Sequence, residues 1–164
     1  MNVRSFAIIM AWMFALIAPT AAFADDPCTR ESVVQSVDQA VAILTQEGAA
    51  GLEKVGAIRF CENNYVFVND LKGKTLMHIK ASLIGKVLIG LKDDTGKRFF
   101  ADFTEVTKTS QATENSTTYY NGSGWVDYRW PKPGEKTSSP KTSYIKGCLM
   151  GGENVYVGAG IYVE

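Results

Sequence analysis

The side chains best suited to chemistry in this chain are a handful of aromatic and cationic residues. Residues 125–130 read Trp-Val-Asp-Tyr-Arg-Trp. Strand alternation puts Trp125, Asp127 and Arg129 on one face and Val126, Tyr128 and Trp130 on the other. Tyr128 and Trp130 would give an apolar wall with polar handles, suited to a small organic acid or amine; beneath a helix the same rings would be ordinary core. Arg129 has the guanidinium geometry that grips a carboxylate. A regular strand nevertheless points it away from Tyr128, and a solvated charge is the commoner fate. Lys141, just after Pro140, can neutralise a carboxylate or lie exposed. His78, at a strand end, is a hydrogen-bonding candidate in an otherwise apolar site, against the default of an internally satisfied imidazole. Tyr65 and Tyr144 complete the candidate ligand contacts, although strand tyrosines, Tyr162 among them, are mainly structural.

The same inventory weighs against other chemistries. His78 is the single histidine, so a histidine-based metal cluster cannot be assembled within one chain. There is no GxSxG, HExxH or phosphate-binding loop, and Asp93-Asp94 lacks the spacing of a calcium loop. No enzyme activity, metal or cofactor is expected. Cys28, Cys61 and Cys148 form neither CxxC nor CxxCH. In an oxidising compartment they should make one disulfide and leave one thiol, a better account than a Cys–His nucleophile; spacing leaves the pairing open. Lys plus Arg and Asp plus Glu number 17 each. A surface without net charge has no field to draw nucleic acid or anionic membranes.

The elements that must position these residues begin after an export signal. Arg4, the apolar run from Phe6 to Ala18 and Ala22-Phe23-Ala24 match the n-region, h-region and cleavage pattern of a signal peptide. Residues 1–24 are therefore expected to be removed, leaving 25–164 as one periplasmic or secreted domain with no membrane span of its own. Asp26-Pro27 is a helix-start signal, and Val33, Val34, Val37, Ala40, Val41 and Leu44 recur on one face up to Gly48. Residues 48–60 read as a connection with at most one extra helical turn. Tyr65–Asn69 and Thr75–Ile79 form a β-hairpin about Asp70–Gly73. A short irregular helix is expected over Leu83–Leu91 and a second, amphipathic one over Phe99–Val106. Thr109–Gly124 is a polar loop. Strands follow at Trp125–Trp130, Thr142–Lys146 and Val155–Val163, separated by Pro/Gly-rich breakers. Strands this close in sequence leave no room for parallel crossovers, so the fold class is α+β with an antiparallel sheet.

Several strings, in this order, resemble the single Cache domains, the PAS-like extracellular sensors. They are Tyr65-Val66-Phe67-Val68 with Asp70 and Gly73, Leu83-Ile84-Gly85-Lys86, Leu91-Lys92-Asp93 with Gly96-Lys97, the whole of Gly124–Pro133, Pro140-Lys141 with Ser143-Tyr144, and Val157–Tyr162. The long segment GWVDYRWPKP makes the likeness specific. The resemblance implies a five-stranded antiparallel sheet of order 2-1-5-4-3, a long N-terminal helix on one face, and short helices over a ligand pocket on the other. It further implies a small-molecule ligand, most readily a short carboxylate or related organic ion, with a membrane receptor, a kinase or a second copy as partner. Two departures stand out. His78 is followed by Ile79 where the family commonly has proline, and the chain stops at Glu164 where a receptor would continue, so a free-standing binding or sensor protein is expected. An envelope interaction module that kept the scaffold without a ligand is the alternative.

Overall fold

The computed structural model describes residues 28–61, 63–111 and 117–163, so the expected signal and the Asp26-Pro27 start signal lie outside the described residues. The first helix, α1 (Arg30–Glu47), is opened by Thr29: its hydroxyl accepts from the Ser32 backbone N–H at 3.3 Å, and the Ser32 hydroxyl accepts from the Thr29 N–H at 3.2 Å. This reciprocal capping satisfies two donors that have no partner inside the helix. Gly48, at φ 59°, ends it in a conformation that suits glycine. Val33, Val37, Ala40 and Leu44, at three- and four-residue steps, are fully buried against the sheet. A 3-10 turn (Gly48–Gly51) and α2 (Leu52–Ala57) carry the chain to the strands.

The strands are β1 (Arg59–Phe60), β2 (Asn64–Asp70), β3 (Thr75–Met77), β6 (Ser123–Pro131), β7 (Ser138–Met150) and β8 (Glu153–Tyr162). Between β3 and β6 come α3 (Phe99–Val106) and a small separate hairpin, β4 (Thr109–Gln111) with β5 (Thr117–Tyr119). All pairings are antiparallel: β3 with β2, β2 with β8, β8 with β7, and β7 with β6, while β1 also pairs with β2. Sequence patterning places the main strands but misjudges several lengths. β7 runs from Ser138, through a segment read as a breaker. Pro140 fits there because its carbonyl still accepts from the Val163 N–H at 3.1 Å. The polar loop after α3 contains β4 and β5, with 112–116 outside the described residues.

The helix expected over Leu83–Leu91 is absent. Only a 3-10 turn at Ala81–Leu83 forms, after which the chain runs beside β3. Thr75 N–H donates to the Lys86 carbonyl at 2.9 Å, and Leu88 N–H to the Gly73 carbonyl at 2.8 Å. Gly85, at φ 83°, holds a turn that a helix could not contain. Gly73 is required by close approach as well as by its φ of 78°, since a Cβ there would lie 2.7 Å from the Ile89 nitrogen.

The sheet separates two cores. On the α1 side, Val33, Val37, Ala40 and Leu44 meet Val66, Val68, Val155, Val157 and Ala159. On the α3 side, Phe99, Phe100 and Phe103 meet Tyr65, Phe67, Val126, Tyr128, Ile145 and Tyr156. A disulfide joins Cys28 to Cys61, Cα atoms 5.0 Å apart, and ties the start of α1 to the β1–β2 turn; Cys148 is free and buried on the α1 side. Burial pushes its thiol up to about 11, so it is not a ready nucleophile. Among the described residues no helix is long and apolar enough to cross a membrane.

Candidate ligand site

Period-2 alternation decides which side chains reach the α3 face. From β2 come Tyr65 and Phe67, from β6 Tyr128 and Trp130, and from α3 Phe99, Phe100 and Phe103; with His78, just beyond the end of β3, they line one small cavity. Its volume is about 10 Å³, roughly the room of a single water. The space between sheet and helix is thus nearly filled by the protein's own rings. Tyr128 stacks on Phe99 with centroids 4.4 Å apart and shares a 3.0 Å hydrogen bond with Ser143, and Tyr65 meets His78 edge-on at 5.0 Å. Outside lies an open cleft of about 260 Å³ lined by Lys80, Leu83, Leu91 and Arg129 among others, and Phe99 and Trp130 belong to both spaces. These two rings stand between the cavity and that cleft.

The polar groups around the cavity are mainly donors. His78 Nδ1 accepts from the Lys80 backbone N–H at 2.9 Å, which leaves Nε2 to carry the proton of the neutral ring. Burial, then the charges of Lys141 and Lys80, pushes this imidazole down to about 3, so it is neutral at ordinary pH. Among the described residues the buried Trp130 Nε1 proton makes no well-formed hydrogen bond, its polar neighbour being the Tyr65 hydroxyl. Burial raises the Tyr65 phenol to about 12, so its hydroxyl keeps its proton.

Lys141 is the most telling residue. It is only 1% exposed, and its ammonium sits 4.5 Å from the Tyr65 ring centre and 4.8 Å from that of Tyr162. Among the described residues it makes no ion pair. Burial, then Lys80, pushes its pKa down to about 7. Aromatic faces offset part of the cost of a desolvated cation, but a buried charge ordinarily has a counter-charge. No acidic side chain is among the residues lining the cavity. Chemically, the cluster is an apolar aromatic box with neutral donors and, behind one wall, a buried amine poised between its neutral and charged forms, an arrangement complementary to a small anion.

Of the residues singled out from sequence, Tyr65, His78, Tyr128 and Trp130 come together at the cavity, and Lys141 lies behind Tyr65. Tyr144 does not join them: it packs on the α1 face beside Trp125, centroids 5.4 Å apart, and its hydroxyl donates to Ser123 at 2.8 Å. The odd–even phase of β7 separates it from Lys141. Arg129 pairs with Asp94 at 2.8 Å and donates to the Ser138 carbonyl, outside the cavity. The sequence reading missed Phe67, the three α3 phenylalanines and Tyr162 as contributors. The signal was present in Phe99, Phe100 and Phe103, whose spacing makes an all-aromatic helix face, but it reads equally as plain core.

The profile of the Cache domain family matches residues 33–164. The methyl-accepting chemotaxis protein McpP of Pseudomonas putida is 33% identical over 129 residues, covering 77% of this chain and 21% of that protein. The chain thus spans about a fifth of that receptor's length. A periplasmic sensor domain of a chemotaxis protein superposes with a TM-score of 0.61 at 32% identity, covering 82% of this chain and 90% of that one. A Cache chemosensory domain, described for its recognition of carboxylic acids, gives a TM-score of 0.66 at 27% identity over 82% of this chain and 92% of that one. This chain belongs to the Cache domain family.

Proposed function

We propose that the protein is an exported Cache sensor or binding domain that takes up a short carboxylate between α3 and the sheet. Lys141 neutralises the anion, while His78, Trp130 and Tyr65 orient it. The observation that carries this reading is the ammonium of Lys141, buried among aromatic rings without an acidic partner among the described residues. The donor character of its neighbours supports it, as does the likeness to a Cache domain described for carboxylic acid recognition. On this reading residues 1–24 are the export signal and 25–164 the binding domain, acting through a membrane receptor, a kinase or a second copy. A guest larger than water needs Phe99 or Trp130, which the cavity shares with the outer cleft, to swing outward. That near-filled cavity also favours a second reading, an envelope interaction module with no small ligand.

Thermal melts of residues 25–164 against formate, acetate, propionate, longer acids and amines separate the two readings. A ligand that binds only the folded state raises the midpoint by mass action, and the ligand reading requires at least one short acid to do so. Lys141→Met should remove that rise while making the free domain more stable, because a buried charge is replaced by an apolar chain of similar length. A folded domain whose midpoint no small acid moves would leave only the interaction module.

A further inference from the structure

The surroundings of Lys141 have a consequence for how an anion could bind, resting on the carboxylate reading above. The side chain rises from β7 opposite Tyr128 of β6 and Tyr162 of β8. Tyr65 of β2 and Tyr162 offer it ring faces, and the charged or titratable groups acting on it or on His78 from the β3 end are His78 and Lys80. The tyrosines are neutral, His78 is neutral and Lys80 is a like charge; Lys132 and Glu135 act on Tyr162 but not on Lys141, so among the described residues nothing compensates an ammonium there. A carboxylate entering the site would be its first counter-charge. Desolvation works against the charged form of a buried lysine and an adjacent anion works for it, so occupancy and protonation must favour each other by linkage.

We propose that this domain takes up a proton when it binds its carboxylate, and therefore reads acidity and ligand together. Lys141 is the proton acceptor: a proton from solvent adds to its neutral amine, and the resulting ammonium pairs with the bound carboxylate. Net, carboxylate and proton enter as one neutral pair, which removes the need for a protein acid in the site. The free ammonium lies near half-protonation at neutral pH, about 7. Apparent affinity should then fall about 50-fold between pH 7 and pH 9, the response expected for one linked proton.

The test is titration calorimetry of residues 25–164 with acetate and propionate at pH 6, 7, 8 and 9, each in two buffers of different ionisation enthalpy. The expected result is a buffer-dependent enthalpy at pH 8 corresponding to between half a proton and one proton taken up, with affinity weakening towards pH 9. In Lys141→Arg, which is charged at every pH tested, both the uptake and the pH dependence should vanish. Uptake that persists in that variant would assign the proton elsewhere and overturn the proposal. So would wild-type binding with flat affinity and no buffer dependence, which would leave the carboxylate reading intact. Absence of binding at every pH would sink both.

Discussion

The two faces of one sheet differ in what they leave unsatisfied. Towards α1 the fully buried contacts are mainly among Val, Ala and Leu, with Trp125 and Tyr144 at the edge. The charges lie at the rim, as in the 2.7 Å Lys146–Asp38 pair, and the Thr142 hydroxyl is the buried polar group without a partner among the described residues. Towards α3 the sheet carries rings, a buried imidazole and a buried lysine amine, and among the described residues Trp130 Nε1 and the Tyr156 hydroxyl lack partners. Aliphatic packing is cheap to satisfy, since it asks only for volume and shape. What sets the aromatic face apart is a titratable imidazole and a buried amine without an acidic partner among the described residues, which cost more to bury than a hydroxyl. The α1 face is packed mainly with aliphatic side chains, and the α3 face carries the aromatic and polar groups of the proposed site.

Three experiments would break or sharpen this contrast. The largest effect is expected from Leu44→Ala, which empties a fully buried position on the α1 face. It should cost about 2–5 kcal/mol in urea unfolding while leaving ligand affinity of the folded protein unchanged; a matched loss of affinity would show that the faces are not separable. The second is acidification. His78 has a folded pKa of about 3 against an ordinary 6.5, so the unfolded chain binds more protons between these values. The contribution of this group is complete above pH 6.5 and falls as pH drops, by up to about 1.4 kcal/mol per unit. His78→Phe should flatten the stability profile between pH 6.5 and 5.5, where ordinary carboxylates stay ionised; an unchanged slope there would mean the imidazole is not held neutral by the aromatic face. The smallest is Arg129→Ala. Its pair with Asp94 is partly exposed and worth under about 1 kcal/mol, and binding of acetate or propionate should stay within about twofold, since the guanidinium lies outside the cavity. A tenfold loss would move the anion site to the outer cleft.

How far the site was legible can be followed residue by residue. Alternation in residues 125–130 puts Tyr128 and Trp130 together on one face, because a strand leaves no other choice once it forms. The same rule in β7 would separate Lys141 from Tyr144, but only when both are placed in one continuous strand, and Pro140 obscured where that strand begins. The stretch Leu83–Leu91 has helical spacing, yet Gly85 and the hydrogen bonds offered by β3 and Gly73 draw it into an extended run. Local pattern yields there to a sheet edge seeking partners.

Periodicity, turn residues and cysteine content by themselves determined the antiparallel α+β class, the amphipathic face of α1, most strand positions and the expectation of one disulfide. These follow from short-range rules of helix and strand geometry. Only the tertiary structure decided that Cys28 pairs with Cys61, that Tyr144 turns away, that the α3 phenylalanines nearly fill the cavity, and that Lys141 is buried with no acid beside it among the described residues. Each of these depends on distances between segments far apart in the chain, and the protonation of a lysine depends on everything that surrounds it in space.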